Sequence, residues 1–197
     1  MSQRAAQAER LLAAFDWELP HALKTCELAL ALFDQLEPLH GLGSPERDVL
    51  EAAALLHDIG WTVSGKLHHK RSAELIRNNR KELSMFSAHE VDMIALVARY
   101  HRKSLPGPKH KEFAGLPEPQ RTVVCKLASL LRLADGLDRP HLQAVRSIRC
   151  EVGGRHVRIF VDSPVQCRLH IEGAARKREL FEAVFGRSVE FLPFGSQ

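Results

Sequence analysis

Residues 51–60 read EAAALLHDIG, and they place an ionisable pair, His57-Asp58, directly after an apolar run. Such a run belongs to the wall of a core, where neither side chain is tolerable unless it is paired or bound to a metal. The alternative is a histidine that satisfies the end carbonyls of its helix beside a surface aspartate. Just upstream, Ser44-Pro45-Glu46 supplies a cap, a first-turn proline and an early acid, so a helix starts there, and Gly60 is expected to end it.

Outward from this stretch, apolar residues recur at intervals of three and four from residue 5 to about residue 138, the signature of a series of helices. The first runs through Leu11, Leu12 and Phe15. The second runs from Pro20 through Leu23, Leu28, Leu32 and Leu36 to Pro38. Further helices are predicted over 68–80 and 87–101, the latter opened by Ser87 and Glu90 as a capping box. Residues 103–119 hold four prolines and two glycines, which predicts an exposed loop and a candidate lid. A long apolar helix, TVVCKLASLLRLADGLD, follows and stops before Pro140.

After residue 144 the pattern alternates: Val145, Ile148, Cys150 and Val152, a Gly153-Gly154 turn, then Val157, Ile159 and Val161. That is a hairpin. A third strand over 165–171, a helix over 174–185 and a last strand over 188–192 complete the expectation. The fold class is therefore mainly α: a helical domain over 1–143 followed by a small α+β subdomain over 144–197.

The chain has 197 residues, 45% of them hydrophobic and 26% charged, which excludes disorder and fibrous classes and allows a core that needs no metal or disulfide. Its four cysteines form no C-x-x-C pair, so zinc-ribbon and thioredoxin readings fall away and reduced, cytoplasmic thiols are expected. Charges interrupt the apolar N-terminus at Arg4, Glu9 and Arg10, which argues against a signal peptide or a membrane span. The net charge of +4 is clumped, at 68–71, 77–81, 99–103 and 109–111, a distribution that suits a polyanionic ligand and equally suits solvated helix faces. Two Trp, one Tyr and nine Phe, several of them at core positions, leave few platforms for stacking bases, so nucleic-acid binding ranks last.

Asp135 is a second anomaly, because it falls at helical spacing on a helix whose buried stripe contains Leu127, Leu130, Leu131 and Leu133. A buried carboxylate asks for a cation; otherwise Asp135 is a helix-end acid paired with Arg132 or Arg139, with Asp138 as its exposed counterpart. His21, near the start of the second helix, could face the same point or serve as a cap. Imidazole plus carboxylate suits Mn, Fe, Ni, Co, Zn or, less well, Mg, and such an ion lowers the pKa of bound water and polarises a phosphoryl oxygen.

The string EAAALLHDIG, with His21 upstream and LLRLADGLD downstream, resembles the H…HD…D signature of the HD-domain metal-dependent phosphohydrolases. More narrowly, HALKTCELALALFDQLEPLHGL, LLHDIGW, HHKRSAELIRN, IALVARYHRKSLP and LASLLRLADGLDR resemble, in that order, the C-terminal part of the exopolyphosphatase/guanosine pentaphosphate phosphohydrolase family, over residues 15–192. The resemblance implies that His21, His57, Asp58 and Asp135 ligate one divalent ion. It also implies that His68, preferred to His69, and His101 add ligands for a second, with Asp58 bridging. In the larger family an actin-like module precedes this part, and its glycine-rich phosphate loops have no counterpart among these residues. Lys70, Arg102 and Lys103, and less strongly Arg71 and Arg139, adjoin these positions and are expected to neutralise phosphate oxygens.

The implied activity is hydrolysis of a nucleotide, polyphosphate or other small phosphorylated metabolite through a metal-activated water, with Asp58 the residue most sensitive to loss. The alternative is a non-catalytic module that binds polyphosphate or an alarmone and regulates a partner. A homodimer, with a hairpin edge paired to a second subunit, is compatible with the pattern.

Overall fold

The computed structural model describes residues 3–165 and 167–195. It is mainly helical, with a small three-stranded sheet near the C-terminus, as the periodicity predicts. Helices α1 (Gln3–Phe15), α2 (Leu19–Gln35), α4 (Ser44–Leu56), α5 (His68–Asn78), α6 (Ala88–Arg99) and α8 (Glu118–Leu137) form the body, with short α3 (Glu37–His40) and α7 (Lys111–Ala114) between them. Buried faces of α2, α4, α6 and α8 meet in one apolar core that extends into the sheet. Among the described residues no helix is long and apolar enough to cross a membrane.

The boundaries differ from expectation where polar groups compete. Helix α4 begins with Gly43 rather than Ser44 as its cap, the Glu46 carboxylate accepting from the Gly43 amide at 2.9 Å. It ends at Leu56, four residues before Gly60, which lies in a 3-10 turn (Ile59–Thr62). Gly60 is required for close approach: a Cβ there would lie 2.1 Å from the His68 carbonyl oxygen and 2.4 Å from the Ser72 amide nitrogen. The Ser87–Glu90 capping box forms as read, with Ser87 donating to Glu90 Oε2 at 2.8 Å. Segment 103–119 is anchored: Phe113 and Leu116 are buried, and Glu112 pairs with Arg99 at 3.3 Å.

In the sheet, β1 (Ser147–Val152) pairs antiparallel with β2 (His156–Asp162), and β3 (Ser188–Pro193) lies parallel on the other side of β2. The Gln35 side chain covers the middle of the β1 edge, donating to the Ile148 carbonyl at 3.0 Å and accepting from the Cys150 amide at 2.8 Å. The strand expected over 165–171 is absent among the described residues; α9 (Cys167–Ala175) occupies that region, followed by α10 (Glu179–Phe185). Cys167, Leu169 and Ile171 mimic a period of two, yet the side that packs inward carries His170, Gly173 and Ala174. Gly173 and Gly136 bring the α9 and α8 backbones together, since a Cβ on Gly136 would sit 2.6 Å from the Ala174 Cα. His170 Nδ1 donates to the Leu137 carbonyl at 2.5 Å, satisfying an end carbonyl of α8.

Candidate metal and anion site

The end of α4, the starts of α2 and α5, the end of α6 and the last turns of α8 converge on one cluster. His21, His57 and Asp135 form one group whose ligand atoms lie within 4.8 Å of one another, and Asp58, His68 and His101 form a second. All six are buried. The groups adjoin through His57 Nε2 and Asp58 Oδ2, 3.6 Å apart.

Hydrogen bonding fixes the tautomers. His57, His68 and His101 each place Nδ1 against the carbonyl three residues earlier: Ala54 at 2.7 Å, Gly65 at 2.7 Å and Ala98 at 2.6 Å. A carbonyl only accepts, so each Nδ1 carries the proton and each Nε2 of a neutral ring presents a lone pair. His21 spends Nδ1 on Asp138 Oδ2 at 2.9 Å and turns Nε2 toward Asp135 Oδ1 at 3.5 Å. Burial pushes His57 down to about 4 and His101 well below its ordinary value, and it also lowers His68, so these rings are neutral near pH 7.

Lone pairs therefore face carboxylate oxygens. Asp58 Oδ1 stands 3.3 Å from His68 Nε2 and 3.5 Å from His101 Nε2, and both His57 Nε2 and Asp58 Oδ1 are buried without a hydrogen-bond partner. Acceptors turned on one another at such distances repel unless a cation lies between them. Nitrogen and oxygen donors, each ring locked through its other nitrogen, fit a divalent transition ion. Two cations of the chain meet part of this demand: Arg102 Nη1 donates to His68 Nε2 at 3.0 Å, and Lys177 Nζ pairs with Asp135 Oδ2.

The cluster floors a cleft of about 590 Å³ lined by the cations Arg102, Lys103, Arg132, Arg139, Arg176 and Lys177 against Asp58 and Asp135. Lys103 takes a left-handed backbone (φ 58°), and Arg132 Nη1 donates to the Tyr100 carbonyl at 2.9 Å and to the Lys103 carbonyl at 3.5 Å. Burial, with Arg132 nearby, lowers the Lys177 ammonium to about 7. Trp61 is sandwiched between Trp17 and His68, with ring centroids 5.7 and 4.3 Å away, and so braces the His68 ring.

Of the residues singled out from sequence, His21, His57, Asp58, His68, His101 and Asp135 come together, and Arg102, Lys103 and Arg139 line the cleft above them. Lys70 does not; it borders a separate pocket with His69, while Arg71 pairs with Glu74. Asp138, read as the exposed counterpart of Asp135, is 0% exposed and orients His21. Its three-residue spacing from Asp135 on one helix face was the available signal. Arg176 and Lys177 were missed because only the α8–α9 contact carries the following turn to the cleft.

Fold and site together define a mainly helical protein whose buried histidines and carboxylates could hold a divalent ion beneath a cation-lined cleft. The chain belongs to the Ppx/GppA phosphatase family: the family model described as Ppx/GppA phosphatase, domain III, matches residues 3–166. All six residues of the two groups fall inside the match, whereas Arg176 and Lys177 lie beyond it.

Proposed function

We propose that this chain is a metal-dependent phosphohydrolase of the HD type, acting on a nucleotide, polyphosphate or other small phosphorylated metabolite. The observation that carries the reading is the common tautomer of four buried histidines, each spending Nδ1 on a fixed acceptor and presenting Nε2 to the same carboxylates. His21, His57 and Asp135 would hold one divalent ion, and Asp58, His68 and His101 a second. Asp58 reaches toward both groups. Ions held there lower the pKa of bound water and polarise a phosphoryl oxygen.

The chain's own cations do the remaining work. Arg102, Lys103 and Arg139 line the cleft and neutralise phosphate oxygens, and Arg132, Arg176 and Lys177 line it with them. The volume accommodates a nucleotide-sized anion. Membership in a phosphatase family supports the same reaction class.

Purified protein incubated with Mn²⁺ and a panel of nucleotides and short polyphosphates is expected to release phosphate, and metal removal to stop it. Asp58→Ala is expected to lower the rate at least a hundredfold. Equal turnover by wild type and variant would overturn the hydrolase reading. Tight polyphosphate binding by metal-free protein with no turnover would favour a binding module.

A further inference from the structure

His68 and His69 are neighbours on α5, yet their rings are nearly perpendicular (87°) and line different pockets. His68 belongs to the cleft. His69 faces a second, more enclosed space of about 120 Å³, bordered by His69, Lys70, Arg99, Tyr100, Ser104 and His110. The two lie on either side of one short stretch of chain: Lys103 lines the cleft and the next residue, Ser104, lines the pocket.

We propose that this pocket binds a free tetrahedral oxyanion of phosphate size, at a site separate from the metal-ligand cluster. Among the described residues no carboxylate lines it, although the chain has 24 acidic residues, and a lysine and an arginine reach it from α5 and α6. His69 is 6% exposed, and its Nδ1 is buried with no hydrogen-bond partner among the described residues. Burying an imidazole N–H unpartnered is unfavourable, and with the ring proton on Nδ1 a bound oxyanion accepts from it. The Tyr100 hydroxyl and His110 Nδ1 satisfy each other at 2.8 Å, which leaves the other His110 nitrogen free of that bond. Arg99 is anchored on one side by Glu112 Oε2 at 3.3 Å from Nη1, so its guanidinium is held in place with further N–H groups to offer.

Size completes the selection. A water takes about 30 Å³ of liquid, so the space of about 120 Å³ admits a tetrahedral anion and is too small to enclose a nucleotide. This site does not depend on the hydrolase reading, because none of its lining residues belongs to the ligand cluster.

Crystals of the wild-type protein soaked in millimolar sodium tungstate test it, with tungsten anomalous scattering as the readout. A peak is expected between Arg99, Ser104 and His69. Lys70→Glu and Ser104→Asp both alter exposed positions and each put a carboxylate at the pocket, so each is expected to lower the peak at least tenfold while any anion peak in the cleft persists. An empty wild-type pocket would overturn the proposal, and equal occupancy in both variants would mark an adventitious ion only and overturn it as well.

Discussion

Asp138 never touches the cleft, yet it decides which nitrogen His21 presents. Its carboxylate accepts from His21 Nδ1 at 2.9 Å and from the Gln143 amide at 2.8 Å, so it is both buried and satisfied. A carboxylate behind a metal-binding imidazole fixes the ring and raises its basicity, and losing one typically costs about 10–100-fold in metal affinity. Asp138→Ala is therefore expected to weaken Mn²⁺ binding by that order in a calorimetric titration, with circular dichroism unchanged. Unaltered affinity would show that Asp138 acts only as a structural tie. Asp138 was legible as an acid at helical spacing, but its burial was not, because the irregular segment 141–143, whose Gln143 amide donates to it, carries no sequence signal of its own.

At the scale of elements, the second ligand group exists because α5 starts hard against the turn that follows His57-Asp58. Gly60 permits this contact, and the Gly60 amide donates to the Ser72 hydroxyl at 2.9 Å across it. Gly60→Ala would drive a methyl group into the His68 carbonyl. Overpacking of this kind typically costs about 1–3 kcal/mol, and the backbone clash here sets the upper end. The urea midpoint is expected to fall, and His68 to withdraw from Asp58, so that metal stoichiometry drops while the His21–His57–Asp135 group still binds. An unchanged midpoint would refute the close-packing account. The helices of the body were readable from the 3.6 period; the end of α4 and this contact were not, since a glycine after HD also reads as a helix stop.

Across the whole molecule, burial of so many imidazoles ties stability to pH. His57 and His69 are lowered to about 4, His101 lies well below its ordinary value, and His68 and His40 are also lowered, in each case chiefly by burial. Between about pH 6.5 and pH 4 the unfolded chain binds more protons than the folded one, so stability is present above 6.5 and is lost as pH falls through that window. For a ring shifted as far as His57 the loss is about 3 kcal/mol. Lys177, lowered to about 7, adds a slope of the same sign between about 7 and 10.5. Urea midpoints of metal-free protein are thus expected to decline steadily from pH 7.5 to pH 4.5; a flat profile would contradict the neutral, buried state of these rings.

The mainly helical body, the capping box at Ser87 and the hairpin were readable from the chain alone, where His21, His57, Asp58 and Asp135 also stood out as candidates; His68 and His101 joined them only through the family resemblance. Local periodicity and the burial of ionisable groups in apolar runs are short-range properties, written in neighbouring residues. Tertiary structure alone turned 167–175 into a helix, sent Lys70 to a second pocket, buried Asp138 and brought Arg176 and Lys177 to the cleft. Each of those outcomes depends on which backbone approaches which, as at Gly136 and Gly173, and on the direction in which a side chain leaves its helix, and neither is set by sequence spacing.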